Sequence, residues 1–434
     1  MRCYSTARQS EPVSIQAAIM KGLAPDGGLY MPETIPLLSK NFFENLSTMS
    51  FQDIAWQLAR PYLEDEVAAS VLEEIVHTAI NFDAPLVRLA DNLFILELFH
   101  GPTLAFKDFG ARFMARLMSH FCRGEDSELT ILVATSGDTG SAVAHGFYNV
   151  AGINVVVLYP SGKVSELQEK QLTTMGGNIT TLEVQGTFDD CQKLVKTAFV
   201  DQELAQRMQL SSANSISIAR LLPQTFYYVY GFGQLRSENA QAVFSVPSGN
   251  FGNLTAALFA KHMGLPVQRF IAATNVNDVV PQYLKSGVFE PRASVQTISN
   301  AMDVGAPSNF ARIQDLYKAS QEALCADVWG SAYTDDETKA VIKSVFDQYR
   351  YTLDPHGAVG FAAFSDYLKE EPTAKGIIVE TAHPAKFIDV VETVLGIRPE
   401  IPERLASCMS KAKQATLIST EFEPFKELLL NRSV

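Results

Sequence analysis

The spacing of apolar and polar residues changes character near Leu86. Before it, Ser14–Lys21 (SIQAAIMK) has helical spacing and is stopped by the turn-rich run Gly22–Gly28 (GLAPDGG). Phe51–Leu63 and Asp65–Ile80 read as amphipathic helices, with Pro61 punctuating them. From Leu86 onward, short continuous Val/Ile/Leu runs alternate with stretches of helical period. The runs Leu93–Phe99, Leu129–Ala134, Ile153–Leu158, Asn178–Val184, Ala242–Val246, Phe270–Ala273 and Gly376–Glu380 are predicted strands. Ser141–Tyr148, Ser165–Met175, Asp189–Val200, Ile218–Leu235, Gly252–Met263 and Lys386–Leu395 are predicted helices. Strands without polar alternation, separated by helices, predict βαβ units and parallel sheets covered on both faces. The expected class is therefore α/β, with a mostly helical lead-in over 1–84 and a first α/β domain over 85–240. A second α/β domain is expected over 241–434, with a helical insertion over 308–368.

One junction in this alternation is chemically unusual. The strand Leu93–Phe99 crosses the polar turn His100–Thr103 and enters a helix whose apolar positions Phe109, Phe113, Leu117 and Phe121 recur every four residues. Lys107 stands at the helix entrance, flanked by Ala105, Phe106 and Phe109. Such a lysine either snorkels to water or, if buried, is held neutral and nucleophilic.

In an open parallel sheet, ligands bind beyond the carboxyl ends of the strands, so the other strand-to-helix loops matter next. TSGDTG (Thr135–Gly140) exposes backbone N–H groups at a helix start, which suits a carboxylate or phosphate. A plain turn with Asp138 or Thr139 as N-cap also accounts for it. PSGNFGN (Pro247–Asn253) has Gly249 and Gly252 for close backbone approach, and Ser248, Asn250 and Asn253 as donors; it reads as a phosphate cradle or as a simple turn. In ETAHPAKF (Glu380–Phe387), Thr381 offers one hydroxyl to a ring nitrogen at a strand end. No GxxxxGK, GxSxG or HExxH occurs, and the seven histidines lack metal-ligand spacing, so no metal is expected. Asp354–His356 (DPHG) is a turn signal first and a catalytic hint second. One activatable lysine with two anion-holding Gly loops is the set a pyridoxal-phosphate enzyme needs. The lysine bonds the cofactor, one loop takes its phosphate, and the other takes a substrate carboxylate.

Composition narrows the partners. A chain of 434 residues with 47% apolar and 19% charged residues can bury a sizeable core. Its net charge of −13 argues against nucleic acid, which is bound through clustered Lys and Arg. Five scattered cysteines form no disulfide framework, which points to a reducing compartment. With no apolar h-region at the start and no long apolar run, the expectation is a cytoplasmic protein that neither spans nor crosses a membrane.

The motifs HGPTLAFKDFG, ATSGDTGSAVAH, SANSIS, SVPSGNFGNLTA, IAATNVND, NAMDVGAPSN and TAHPAKF, preceded by GLAPDGGLYMP, together resemble the longer form of the threonine synthase family between residues 4 and 396. The resemblance implies a tryptophan-synthase-β-like fold of two parallel-sheet domains with N- and C-terminal helical additions. It also implies pyridoxal 5′-phosphate as cofactor and conversion of O-phospho-L-homoserine and water to L-threonine and phosphate. On the same ground Lys107 is the Schiff-base lysine and proton shuttle. Gly249, Asn250, Phe251, Gly252 and Asn253 form the cofactor-phosphate loop, and Thr381 is the partner of the pyridine nitrogen. Ser136, Gly137, Asp138 and Thr139 fall where relatives bind the substrate carboxylate. Many relatives carry Asn where this chain has Asp138, so whether Asp138 meets the ring 3′-oxygen or acts otherwise stays open. A cation must hold the leaving phosphate; Lys163, in YPSGKVS, is the first candidate, with Arg112 and Lys170 as rivals. The alternatives are a dehydratase or phospholyase on another amino acid and a non-catalytic ligand-sensing relative. Lys107 and both Gly loops count against the last.

Overall fold

The computed structural model describes residues 1–123, 128–235 and 242–431. Two sheets carry the fold. The first is built of β3 (Leu129–Ala134), β4 (Ile153–Pro160), β5 (Ile179–Val184), β6 (Gln209–Ser212) and β11 (Thr416–Ile418), in the order β11-β5-β4-β3-β6, all parallel. The second is built of β1 (Leu86–Ala90), β2 (Leu93–Glu97), β7 (Ala242–Pro247), β8 (Arg269–Thr274), β9 (Val328–Ala332) and β10 (Lys375–Glu380), in the order β9-β8-β7-β10-β2-β1. Its only antiparallel pair is β1 with β2, at one edge.

Central strands such as β3 (LTILVA) and β7 (AVFSVP) are buried at every position, the physical reason they lack the apolar–polar alternation of a half-exposed strand. The helix after the unusual junction, α1 (Lys107–Phe121), buries Phe109, Phe113 and Leu117 completely. Phe109 packs against Phe82 and Tyr227 at ring-centroid distances of 4.6 and 5.4 Å. Four further helices frame the strand-end loops described below: α2 (Asp138–Phe147), α3 (Glu166–Thr173), α4 (Gly252–His262) and α5 (Pro355–Glu370).

The structure departs from the pattern-based expectation in four places. The sheets do not follow the division into 85–240 and 241–434. Strand β2, which leads to Lys107, pairs with β10, and β11 returns to pair with β5. These pairings are non-local, so no local periodicity carries them. The lead-in holds a three-stranded antiparallel sheet of Arg2–Ser5, Val13–Ser14 and Tyr30–Pro32 besides its helices. The stretch Ile218–Leu235 is two helices, Ile218–Leu221 and Gln224–Gln234, interrupted at Pro223, which cannot donate a helical hydrogen bond. The tract 308–368 is mainly helical but contains β9, an edge strand (VWGSA) with one buried residue in five, too short and half-exposed to stand out. Among the described residues no helix is long and apolar enough to cross a membrane.

Candidate active site

Lys107 opens α1, and the turn before it is stitched to the end of β10. Leu98 N–H donates to Glu380 O (3.0 Å), Phe106 N–H to Thr381 O (2.9 Å) and His383 N–H to Leu104 O (3.0 Å). The turn is closed by Asp108, whose carboxylate accepts from the Thr103 N–H (2.8 Å) and hydroxyl (2.7 Å). The Lys107 side chain therefore leaves a rigid corner. It enters a narrow cleft lined by Thr135, Ser136, Gly137, Asp138, Thr139, Gln168, Asn300 and Ala301. Among the described residues its amine has no hydrogen-bond or ion-pair partner, only the Phe106 ring at 5.9 Å. Desolvation pulls its pKa down to about 8; Asp138 opposes the shift, while Arg220 and Lys386 add to it. Near pH 7 the amine is thus still mostly protonated, but its neutral fraction, on the order of a tenth, far exceeds that of an ordinary lysine.

The turn after β3 is built by Thr135. Its Oγ1 accepts from Gly137 N–H (3.0 Å) and Gly140 N–H (2.9 Å). That leaves the N–H groups of Ser136, Asp138 and Thr139 without partners among the described residues, at the start of α2 and on the cleft. Asp138 is buried. Its Oδ1 lies 2.6 Å from Lys386 Nζ and 3.1 Å from Gln168 Nε2. Burial works to raise the Asp138 pKa, but the Lys386 and Lys107 charges outweigh it and hold the carboxyl below its ordinary value.

The third loop follows β7. Phe251 adopts the left-handed conformation (φ 60°, ψ 15°) immediately before α4, a concave backbone turn that gathers N–H groups. The N–H groups of Gly249, Asn250, Phe251, Gly252 and Asn253 have no partner among the described residues. The asparagine side chains, expected as donors to an anion, instead build the loop. Asn250 donates to Ser215 Oγ (2.7 Å) and accepts from Ser308 N–H (2.6 Å). Asn253 accepts from Ser248 Oγ (2.9 Å) and donates to Pro247 O (2.8 Å). Gly249 presses on the neighbouring segment: a Cβ there would lie 2.5 Å from Ala301 O. Since Ala301 also lines the Lys107 cleft, one segment walls both features. An open run of N–H groups beside an unpartnered amine of lowered pKa is the donor set pyridoxal phosphate requires, so the residues present fit that cofactor.

The other candidates fall at different distances from this centre. Thr381 is buried at the end of β10, joined through its carbonyl to the residue before Lys107. Asp354 caps α5, and His356 is locked between Asp354 Oδ1 (2.6 Å at Nδ1) and Ala301 N–H (3.2 Å at Nε2). The pair is thus both a turn device and a brace for the cleft wall. Lys163 is exposed on the turn before α3 and does not line the cleft. Arg112 donates to Thr78 O, Ala79 O and Asn81 Oδ1, and Lys170 to Lys411 O, both occupied elsewhere. The residue missed from sequence is Lys386. Its only signal was a lysine inside the otherwise apolar PAKF, and it is the cation closest to Asp138.

Three family models match the chain: "Threonine synthase N terminus" over 2–80, "Pyridoxal-phosphate dependent enzyme" over 79–381 and "Threonine synthase, C-terminal" over 357–428. The threonine synthase of Haemophilus influenzae is 46% identical over 98% of this chain and 97% of its own length. That of Escherichia coli is 44% identical over 99% of this chain and 100% of its own. The crystal structure of the E. coli threonine synthase superposes with a TM-score of 0.93 at 43% identity, covering 100% of both chains. A pyridoxal-phosphate-bound threonine synthase from Brucella melitensis also reaches 0.93, at 35% identity over 100% of this chain and 99% of that one.

Proposed function

The chain belongs to the threonine synthase family of pyridoxal-phosphate-dependent enzymes, and from that premise we propose that it converts O-phospho-L-homoserine and water to L-threonine and phosphate. The observation that carries the reading is the unpartnered Lys107 amine, set in a cleft between the N–H-lined turn 136–139 and the segment that backs the 249–253 cradle.

Bound pyridoxal phosphate supplies an electron sink for charge developing at the substrate Cα. Lys107 anchors the cofactor through Nζ, the N–H groups of Gly249–Asn253 hold its phosphate, and the Thr381 hydroxyl serves its ring nitrogen. The N–H groups of Ser136, Asp138 and Thr139 orient the substrate carboxylate at the positive end of α2. With cofactor and substrate bound, Lys107 Nζ would be the base held beside Cα. A pKa near 8 lets it take the Cα proton and return protons during the later transfers at Cβ, where water adds after phosphate has left. Cys3, Cys191, Cys325 and Cys408 are free thiols, which supports a reducing, cytoplasmic setting.

Purified protein given O-phospho-L-homoserine should release phosphate and form threonine in equal amounts. Lys107→Ala should lower kcat by about 10³-fold or more and should lose the borohydride-trapped cofactor adduct found on Lys107 in the wild type. Threonine formation at background level would sink the reading.

A further inference from the structure

Lys386 takes no part in the roles above, yet it is the most enclosed charge at the cleft. It lies on the 3₁₀ turn Pro384–Phe387, its side chain is fully buried, and its Nζ is committed to Asp138 Oδ1 (2.6 Å) and Thr103 O (2.8 Å). Asp138 sits in the middle of the N–H-lined turn. A turn that receives an anion while carrying its own buried carboxylate is electrostatically self-defeating, because the two like charges repel in a medium that screens them poorly. We propose that Lys386 is a positioning residue whose charge cancels that of Asp138, so that the turn Ser136–Thr139 can accept the substrate's α-carboxylate. The inference rests on the reading of that turn as the carboxylate subsite.

The geometry disfavours other roles. With no exposed surface and its Nζ engaged on two sides, Lys386 cannot reach a substrate phosphate or carry protons without breaking the pair. The ion pair is also placed to act on the anchor lysine, since Lys386 pushes the Lys107 amine toward neutrality and Asp138 pulls the other way.

A charge-cancelling role has a pH signature. The groups facing the pair are Lys107, Asp108, Arg220, His145 and His383. Both histidines are pushed down to about 4, chiefly by burial, and Asp108 titrates near 6. Between pH 6.5 and 8.5 both histidines stay neutral and Asp108 stays mostly ionised; Lys107, at about 8, is the facing group that titrates in this window, and in the cofactor-loaded enzyme its Nζ would be engaged. In Lys386→Met, Asp138 loses its main stabilising charge and takes up a proton as pH falls. Affinity for an anion should therefore be poorest at high pH and recover at low pH.

The test is a cycle of wild type, K386M, D138N and D138N/K386M as cofactor-loaded enzymes. It reads the dissociation constant of L-threonine from the change in cofactor absorption, alongside KM and kcat for O-phospho-L-homoserine. At pH 8.5, K386M should bind threonine about tenfold more weakly or worse, with the loss larger in KM than in kcat. The deficit should shrink toward pH 6.5, and D138N/K386M should return to within about threefold of wild type at every pH. Threonine affinity in K386M equal to wild type overturns the proposal, and so does a double variant that stays impaired. If K386M does not fold, the double variant against wild type decides alone. Wild type that makes no threonine overturns the underlying reading; a normally active wild type with an uncoupled cycle overturns only this inference.

Discussion

Gly249 shows how much of the site depends on a missing side chain. A Cβ there would stand 2.5 Å from Ala301 O and 2.8 Å from Met302 Cα, contacts that force backbone rather than a side-chain tip to move. Gly249→Ala should cost about 1–3 kcal/mol of local fit. It should raise the pyridoxal-phosphate dissociation constant by about tenfold or more, measurable by fluorescence titration of the apoprotein. Unchanged affinity would mean that the 301–302 segment yields freely. At this scale the sequence was informative where residue type and position coincide. Lys107 and the glycines stand at strand ends, and the structure brings their segments together. It was silent where partners decide the role. Asn250 and Asn253 turn their side chains inward to build the loop, and nothing in PAKF says that Lys386 faces Asp138.

At the scale of elements, the start of α1 is held by Asp108, not by a residue before the helix. Burial pushes its carboxyl from the usual 3.8 up to about 6, against the two bonds from Thr103. Between those values the folded protein keeps a proton that the unfolded chain has released. Stability therefore falls as pH rises through the window, by roughly 3 kcal/mol from this group, and is level above it. Asp108→Asn keeps an acceptor for Thr103 and has no proton to lose. In urea unfolding between pH 4 and 7, it should gain on the wild type as pH rises and plateau above about 6; a difference flat with pH would exclude this titration. Strand and helix positions were legible because buried parallel strands and the α1 stripe have simple periods. The edge strands β1, β6, β9 and β11 were not, since a short, half-exposed strand has neither a clean alternation nor an apolar run.

At the scale of the whole molecule, Arg312 ties distant segments together from a fully buried position. It donates to Tyr30 O in the lead-in sheet (3.1 and 3.0 Å), to Ile216 O (2.7 Å) and to Asn309 Oδ1 (2.6 Å). Asn309 follows Ser308, whose N–H holds Asn250 in the cradle. Arg312→Met strands these acceptors while relieving a buried charge. The expected net loss is about 3 kcal/mol in urea unfolding, with weaker cofactor binding; stability at wild-type level would show that the lead-in is held by its apolar contacts alone. Which strands share a sheet was the least legible property, because it is written in hydrogen bonds between residues hundreds apart. The pairing of β2 with β10 has a consequence for synthesis. On a ribosome adding about 5–20 residues per second, the roughly 280 residues between those strands take on the order of 15–60 s to appear. For that time LFILE has β1 on one side but lacks β10 on the other, so the newborn chain carries an adhesive open strand edge just ahead of Lys107, and the corner that aims this lysine cannot form until the chain is almost finished.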